Sequence, residues 1–182
     1  MINIETQSLV LRNFKKSDCE ELKKYLANEK KYEFRPIYNI SDIRTIDEME
    51  FFSKSDSFVA IKLKGEEKLI GYIEIIQLSP PEIKTIEIRF IFDTKYDSEE
   101  FRLEGLKAII KYSFDRLNAH RIISKCNSSD SKTWRLLDRL SMREEGITVK
   151  SAIVNKNENG KVEWSDEVMY ALLKEEYEEY NF

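Results

Sequence analysis

Residues 86–92 read Ile-Glu-Ile-Arg-Phe-Ile-Phe, and this stretch decides the fold of the 182-residue chain. Apolar and polar side chains alternate along it, a period of two that is typical of a strand with one apolar face. Residues 98–117 then carry apolar side chains three or four positions apart, which predicts a long helix. Because residues 120–126 form another β-rich run, a right-handed crossover through the helix would bring the two strands side by side and parallel.

Further strands and helices flank this β-α-β unit. A strand over residues 3–12, helices beginning near Ser17 and Ser41, and a hairpin of residues 58–63 and 69–76 precede it. A helix over residues 131–140 and a hairpin of residues 147–154 and 162–173 follow it. The order β-α-α-β-β-β-α-β-α-β-β predicts an α/β (α+β) mixed sheet with helices on both faces, in one domain spanning residues 1–182. Such folds commonly bind ligands where strands lead into helix N-termini.

Composition and spacing exclude several classes of function. The chain has 30 Lys and Arg against 34 Asp and Glu, a net charge of -4, which argues against a nucleic-acid partner. No apolar run approaches the roughly 18 residues of a membrane span, so we expect no membrane contact and a cytoplasmic location. The five glycines are too widely spaced for a dinucleotide or nucleoside-triphosphate fingerprint. His120, Cys19 and Cys126 cannot form a conventional zinc site, so no metal is expected, and both cysteines are expected to be packed, reduced thiols.

Four phrases occur in order along the chain. They are IETQSLVLRNFKKSDCEEL (residues 4–22), KLIGYIEI (68–75), IEIRFIFDTKY (86–96) and LNAHRIISKCNSSDSKTWRLLDRLSMREEG (117–146). Together with the order of the elements, they resemble the GNAT family of acyl-coenzyme A N-acyltransferases, in particular the branch of ribosomal-protein alanine N-acetyltransferases. The resemblance implies a GNAT-like fold that moves an acetyl group from acetyl-CoA to the amine of a small molecule or a protein N-terminus, by direct attack.

The resemblance also implies a site for acetyl-CoA. The pyrophosphate would lie on backbone N–H groups at the start of the long helix, and the amide groups would bond to the strand backbone. The residues implied are Ser98, Glu99, Glu100, Phe101 and Arg102 for the pyrophosphate, and Ile91 and Phe92 for the amides.

The helix start nevertheless departs from the family pattern, which has two glycines there. This chain has Asp97-Ser98-Glu99-Glu100-Phe101-Arg102, with three carboxylates and no glycine. Asp97 and Glu100 predict a capping-box-like helix start, and the carboxylates oppose a phosphate unless they point away or pair with a cation such as Arg102 or Lys95. Two hypotheses follow: an acetyltransferase with a modified loop, or a GNAT-fold protein that has become a non-catalytic binding or interaction module.

The resemblance implies three further roles. Glu87 would be the general base that takes the amine proton through water, Thr133 would donate to the leaving thiolate, and Asp130 would lie beside the pantetheine. Each has a structural alternative: Glu87 as the partner of Arg89, Thr133 as an ordinary residue of a first helical turn, and Asp130 as the cap of that helix. Glu74 is a second candidate base.

The acceptor amine is not specified by the sequence. The chain ends with three aromatic residues, Tyr177, Tyr180 and Phe182. These allow a homodimer contact or equally a flexible tail.

Overall fold

The computed structural model describes residues 2–18, 21–22, 52–66, 68–93, 95–96, 98–156 and 161–180. The helix predicted from Ser41, most of the helix predicted from Ser17, and residues Cys19 and Asp97 lie outside these ranges. None of the helices in the described ranges is long and apolar enough to span a membrane.

Eight strands form one sheet in the order β1-β2-β3-β4-β5-β6-β8-β7. They are β1 Asn3–Glu5, β2 Leu9–Asn13, β3 Phe58–Leu63, β4 Leu69–Gln77, β5 Thr85–Phe92, β6 Arg121–Asn127, β7 Arg143–Lys156 and β8 Val162–Leu173. Only β5 and β6 pair in parallel, and every other neighbouring pair is antiparallel. The predicted mixed sheet and its central parallel pair are therefore confirmed.

Three helices have defined bounds: α1 Glu99–Asp115, α2 Ser131–Arg139 and α3 Lys174–Glu179. Helix α1 buries an apolar stripe of Leu106, Ile109, Ile110 and Phe114 against one face of the sheet, as its period predicts. Short helical stretches at residues 21–22 and 52–54 bring Leu22 and Phe52 to the opposite face. Helices on both faces are thus confirmed.

The second face is largely aromatic. The rings of Phe14, Phe52, Phe58 and Tyr72 pack edge-on or tilted, with centroids 4.1–6.3 Å apart. All four side chains are buried. Such contacts stabilise a core beyond the area that they bury.

The N-terminal prediction of one strand over residues 3–12 is wrong. Residues 6–8 form a turn, in which the Thr6 N–H donates to the Leu9 carbonyl at 3.0 Å and the Leu9 N–H donates to Thr6 Oγ1 at 3.0 Å. β1 and β2 are consequently an antiparallel hairpin. Near Ser17 the described residues show a 3-10 turn, Lys16–Asp18, whose Asp18 side chain is buried with charged partners.

The C-terminal aromatics differ from their expectation. Tyr177 on α3 is buried and stacks on Phe114 of α1 with ring centroids 4.7 Å apart. It is therefore part of the core and not available for a dimer contact. Tyr180 is exposed, Phe182 lies outside the described residues, and the homodimer stays a prediction.

The parallel pair separates along its length. Register pairs join Thr85 to Arg121, Ile86 to Ile122 and Glu87 to Ile123, and the ladder ends there although β5 runs on to Phe92. One further contact follows, from Ser124 Oγ to the Ile88 carbonyl at 2.9 Å. Beyond it, a gap opens between β5 and β6.

Candidate active site

Backbone polar groups of β5 line the gap. The Asp93 N–H donates to Ile70 of β4 at 2.7 Å, whereas the Ile88 carbonyl faces β6. Because successive peptide groups of a strand point to alternate neighbours, the groups of Phe90 and Phe92 face the gap, and those of Ile91 face β4. Of the two predicted residues, Phe92 therefore presents its backbone to the gap and Ile91 does not.

The sequence interpretation did not include Phe90, whose backbone groups also face the gap. Alternation gives the two sets of peptide groups, but it does not tell which set faces which neighbouring strand. That information enters only with the register of β4 on β5.

Helix α1 begins beyond the end of β5 with Ser98 as its cap. Ser98 Oγ accepts the Phe101 N–H at 3.2 Å, and the Ser98 carbonyl accepts the Arg102 N–H at 3.1 Å. The predicted capping box of Asp97 and Glu100 is therefore replaced by a serine cap, because a hydroxyl at this position already satisfies the third N–H of the helix. Within the described ranges, the N–H groups of Glu99 and Glu100 have no hydrogen-bond partner, as is usual for a first helical turn.

Glu99 is turned away from the axis of α1 toward the end of α2. Its Oε1 lies 2.5 Å from Nη1 of Arg139, the last residue of α2. Both side chains are about half exposed, so the pair stabilises the fold only weakly, by about 0–1 kcal/mol. The pair also matters for a bound anion, since the guanidinium offsets one of the carboxylates that would oppose a phosphate. The sequence interpretation considered Arg102 and Lys95 as partners and missed Arg139.

At the start of α2, Asp130 and Thr133 contact each other. Asp130 Oδ1 accepts the Thr133 N–H at 3.1 Å, and Asp130 Oδ2 accepts the Thr133 hydroxyl at 2.6 Å. Asp130 thus has the capping role that was its structural alternative. A hydroxyl has one proton to donate, and that of Thr133 is directed to Asp130, so this geometry does not support a donor to a thiolate.

Glu87 lies inside the sheet face opposite α1. Its side chain is 5% exposed, and its Oε1 accepts a hydrogen bond from Arg89 Nε at 2.7 Å. Arg89 is also the register partner of Glu74 on β4, with Nη1 3.9 Å from Glu74 Oε2. The alternative role of Glu87 as a partner of Arg89 is therefore realised, and the structure adds Glu74 to the same cluster.

Both carboxylates hold protons more tightly than usual. Burial raises the pKa of Glu87; Lys125 opposes this shift and Glu167 adds to it. Burial and the charge of Glu87 together raise the pKa of Glu74 from 4.5 to about 7. A group with a pKa near neutrality is well suited to accept and release a proton.

The buried thiol and phenol of the neighbouring strands are not acid–base groups at neutral pH. Burial raises the pKa of Cys126 to about 12, and that of Tyr170 also to about 12. Cys126 is a free, buried thiol, as expected. No group of three or more His, Cys, Asp and Glu in the described part of the chain has an arrangement that could hold a metal.

A parallel strand pair that separates beside a capped helix start is what the resemblance to the GNAT family implies, and comparison with known proteins agrees. The sequence model described as "Acetyltransferase (GNAT) domain" matches residues 8–143. The chain belongs to the GNAT acetyltransferase family and is an acetyltransferase.

Individual relatives extend over almost the whole chain. The uncharacterized N-acetyltransferase YnaD of Bacillus subtilis is 28% identical over 178 residues, which are 97% of this chain and 99% of YnaD. The crystal structure of a GNAT-family acetyltransferase from Bacillus anthracis is 27% identical, covers 96% of this chain and 99% of its own, and superposes with a TM-score of 0.76.

A structure of RimL, a ribosomal L7/L12 alpha-N-protein acetyltransferase in complex with coenzyme A, shares the fold with a TM-score of 0.78 at 14% identity, over 97% of this chain and 99% of RimL. These matches are to acetyltransferases, and none of them supports the non-catalytic alternative.

Proposed function

We propose that the protein transfers an acetyl group from acetyl-CoA to the amine of a small molecule or a peptide. The observation that carries this proposal is the gap between β5 and β6, which has free strand backbone on one side and the first turn of α1 at its end. The coenzyme A bound to RimL, which has the same fold, supports acetyl-CoA as the co-substrate.

The residues around the gap suit the two polar parts of acetyl-CoA. The N–H groups of Glu99 and Glu100, which have no partner within the described ranges, can donate hydrogen bonds to the pyrophosphate, beside Ser98, Phe101 and Arg102. The backbone groups of Phe92, and of Phe90 two residues earlier, can bond to the amides of the pantetheine arm. The ion pair with Arg139 offsets the charge of the Glu99 carboxylate, which would otherwise oppose the pyrophosphate.

In the proposed reaction Glu87 accepts a proton from the substrate ammonium, directly or through water. The neutral amine then attacks the acetyl carbonyl carbon, a nitrogen–carbon bond forms, and the carbon–sulfur bond breaks. Because the Thr133 hydroxyl donates to Asp130, the leaving sulfur takes its proton from the reacting nitrogen. Orientation of the two substrates in the gap contributes much of the rate in such a direct transfer.

Calorimetry with acetyl-CoA and with free CoA tests the first part of the proposal. We expect a dissociation constant in the micromolar range, and no binding below about 1 mM would contradict it. Release of free thiol from acetyl-CoA, followed with spermidine, lysine and an alanyl peptide, tests the transfer. A rate above that without amine is expected for at least one of them, and its absence with every primary amine tried would contradict acetyl transfer.

A further inference from the structure

Two carboxylates share one guanidinium on the face of the sheet opposite α1. The Arg89 Nε–Glu87 Oε1 distance is that of a strong hydrogen bond, 2.7 Å, whereas the Arg89 Nη1–Glu74 Oε2 distance is 3.9 Å. The Glu74 side chain is also the more exposed of the two carboxylates, at 16% against 5%. Arg89 therefore holds Glu87 firmly and Glu74 loosely.

The groups around Glu74 and Glu87 favour a state in which the two carboxylates together hold one proton. From β3 and β4, Glu74 is flanked by the buried rings of Phe58, its register partner, and Tyr72. The charged groups that act on Glu87 from the neighbouring strands are Lys125 of β6 and Glu167 of β8, which have opposite signs. The same face also carries Arg12, Lys62 and Asp18, which form ion pairs with one another. Two ionised carboxylates beside one guanidinium would leave a net negative charge in a poorly solvated place, and one proton removes it at low cost.

The proton is held most readily by the carboxylate that Arg89 neutralises least. This is Glu74, since Glu87 has the short hydrogen bond. The pKa of about 7 for Glu74, raised by burial and then by the charge of Glu87, agrees with this assignment.

We propose that Glu74 is a second acid–base residue of the acetyl-transfer reaction, and that it shares one proton with Glu87 across Arg89. This inference rests on the proposed function. In molecules in which both carboxylates are ionised, the substrate ammonium gives one proton to the pair and becomes a neutral amine, and the proton comes to reside on Glu74. The amine nitrogen bonds to the acetyl carbon, the sulfur leaves with the electron pair of the carbon–sulfur bond, and it takes a second proton from the nitrogen. Glu74 then releases its proton to water.

An infrared titration of the protein without ligands tests the shared proton directly. The carbonyl stretch of a protonated carboxylic acid is followed between pH 5 and 9 in the wild type, Glu74→Gln and Glu87→Gln. Glu82→Gln is the matched control, because Glu82 is an exposed carboxylate in the turn that joins β4 to β5. We expect a band that disappears near pH 7 in the wild type and in Glu82→Gln, and that is missing in Glu74→Gln.

In Glu87→Gln the same band should disappear about one pH unit lower, because the repulsion by the second carboxylate is gone. A band that persists unchanged in Glu74→Gln, or a midpoint that does not move in Glu87→Gln, would overturn the proposal. If Glu74→Gln fails to fold, the difference in midpoint pH between the wild type and Glu87→Gln is sufficient to test the proposal.

The kinetic test uses acetyl-CoA with the amine among spermidine, lysine and the alanyl peptide that reacts fastest. Glu74→Gln should lower kcat at least tenfold with an unchanged KM for acetyl-CoA. Glu87→Gln should lower kcat as well, and the acidic limb of its remaining activity should lie at lower pH than in the wild type. Wild-type kinetics in Glu74→Gln would refute the role of Glu74. Absence of thioester turnover in the wild type would instead contradict the proposed function, and the infrared titration would still report on the shared proton.

Discussion

Gly71 lies on β4 opposite Phe92 of β5, where the two strands approach too closely for a side chain. A Cβ atom at this position would overlap the carbonyl oxygen of Ile91 and lie 3.1 Å from Phe92 Cα. Both neighbours are backbone atoms, so neither can turn aside as a side chain would. The pair Gly71–Phe92 belongs to the register of β4 on β5, and this register turns the peptide groups of Phe90 and Phe92 toward the gap between β5 and β6.

We therefore predict that Gly71→Ala lowers the free energy of unfolding by about 1–3 kcal/mol, the usual cost of overpacking. Gly105→Ala in α1 is the control, because its Cβ would meet only side-chain atoms of Leu9, Leu11 and Phe92, at 3.5–4.0 Å. The control should be neutral or more stable by up to about 1 kcal/mol, since alanine favours the helix. Urea unfolding measures both, and an equally stable Gly71→Ala would show that the strands can separate at no cost.

At the scale of single elements, the first turn of α1 and the last turn of α2 act together through Glu99 and Arg139. The ion pair is too exposed to matter much for folding, but it lies at the proposed pyrophosphate site. The Glu99 carboxylate repels a bound anion, and the positive charge of Arg139 reduces this repulsion.

This geometry predicts opposite effects of the two residues on CoA affinity. Arg139→Gln should weaken binding about fivefold and Glu99→Gln should strengthen it about fivefold, each corresponding to about 1 kcal/mol of charge interaction. Both effects should shrink between 50 and 500 mM salt, because exposed charges are screened over about 10 Å at 0.1 M. Calorimetry at the two salt concentrations makes the comparison, and equal affinities for wild type and both variants would place the pyrophosphate elsewhere.

Several elements follow from sequence periodicity, and others do not. The alternation in residues 58–63, 69–76 and 86–92 predicts β3, β4 and β5 because each has an apolar face to bury. The turn at residues 6–8 contains no glycine, proline or asparagine and is closed by the Thr6 hydroxyl, a local bond that periodicity cannot detect.

The acid–base cluster could be predicted only in part. Glu87 and Arg89 are two residues apart on one strand, so they share a face, and their pairing was an explicit alternative. Glu74 lies on another strand, and its position opposite Arg89 depends on the register across the β4–β5 turn. Which residue holds the proton therefore depends on how β4 and β5 pair, and it cannot be predicted from the sequence of either strand alone.

At the scale of the whole molecule, a buried charge cluster ties the 3-10 turn Lys16–Asp18 to strands β2 and β3. Asp18 is 1% exposed and contacts Arg12 of β2 at 2.7 Å and Lys62 of β3 at 3.4 Å. Burial would raise the pKa of Asp18, but the hydrogen bonds from Arg12 and the Lys15 N–H and the charges of Arg12 and Lys62 together hold it below its ordinary value.

Asp18→Asn should accordingly lower the free energy of unfolding by about 3–5 kcal/mol at pH 7, the usual effect of removing one partner of a buried ion pair. Because the pKa of Asp18 is lowered on folding, the stabilisation is present above its unfolded pKa of 3.8 and is lost as the pH falls through the folded value. The difference between variant and wild type should therefore shrink below pH 4.

Asp115→Asn, which breaks the exposed pair with Lys111, serves as the control and should leave the free energy of unfolding nearly unchanged, because solvent screens this pair. Urea unfolding at pH 7 and at pH 3.5 gives all the values needed. Equal losses for the two aspartates would mean that the buried cluster does not hold the 3-10 turn against the sheet.

The long strand β7 lies at one edge of the sheet, where another copy of the protein could pair with it. Its pairing with β8 shifts register at three places, and Lys150, within the second of them, has a left-handed backbone with φ of 50°. Two apolar side chains there, Ile147 and Val149, are exposed. A straight strand with such side chains would invite another chain to add to the sheet, but irregularities of this kind bend the edge and interrupt its row of hydrogen-bonding groups. The bulges of β7 thus protect the protein against edge-to-edge aggregation.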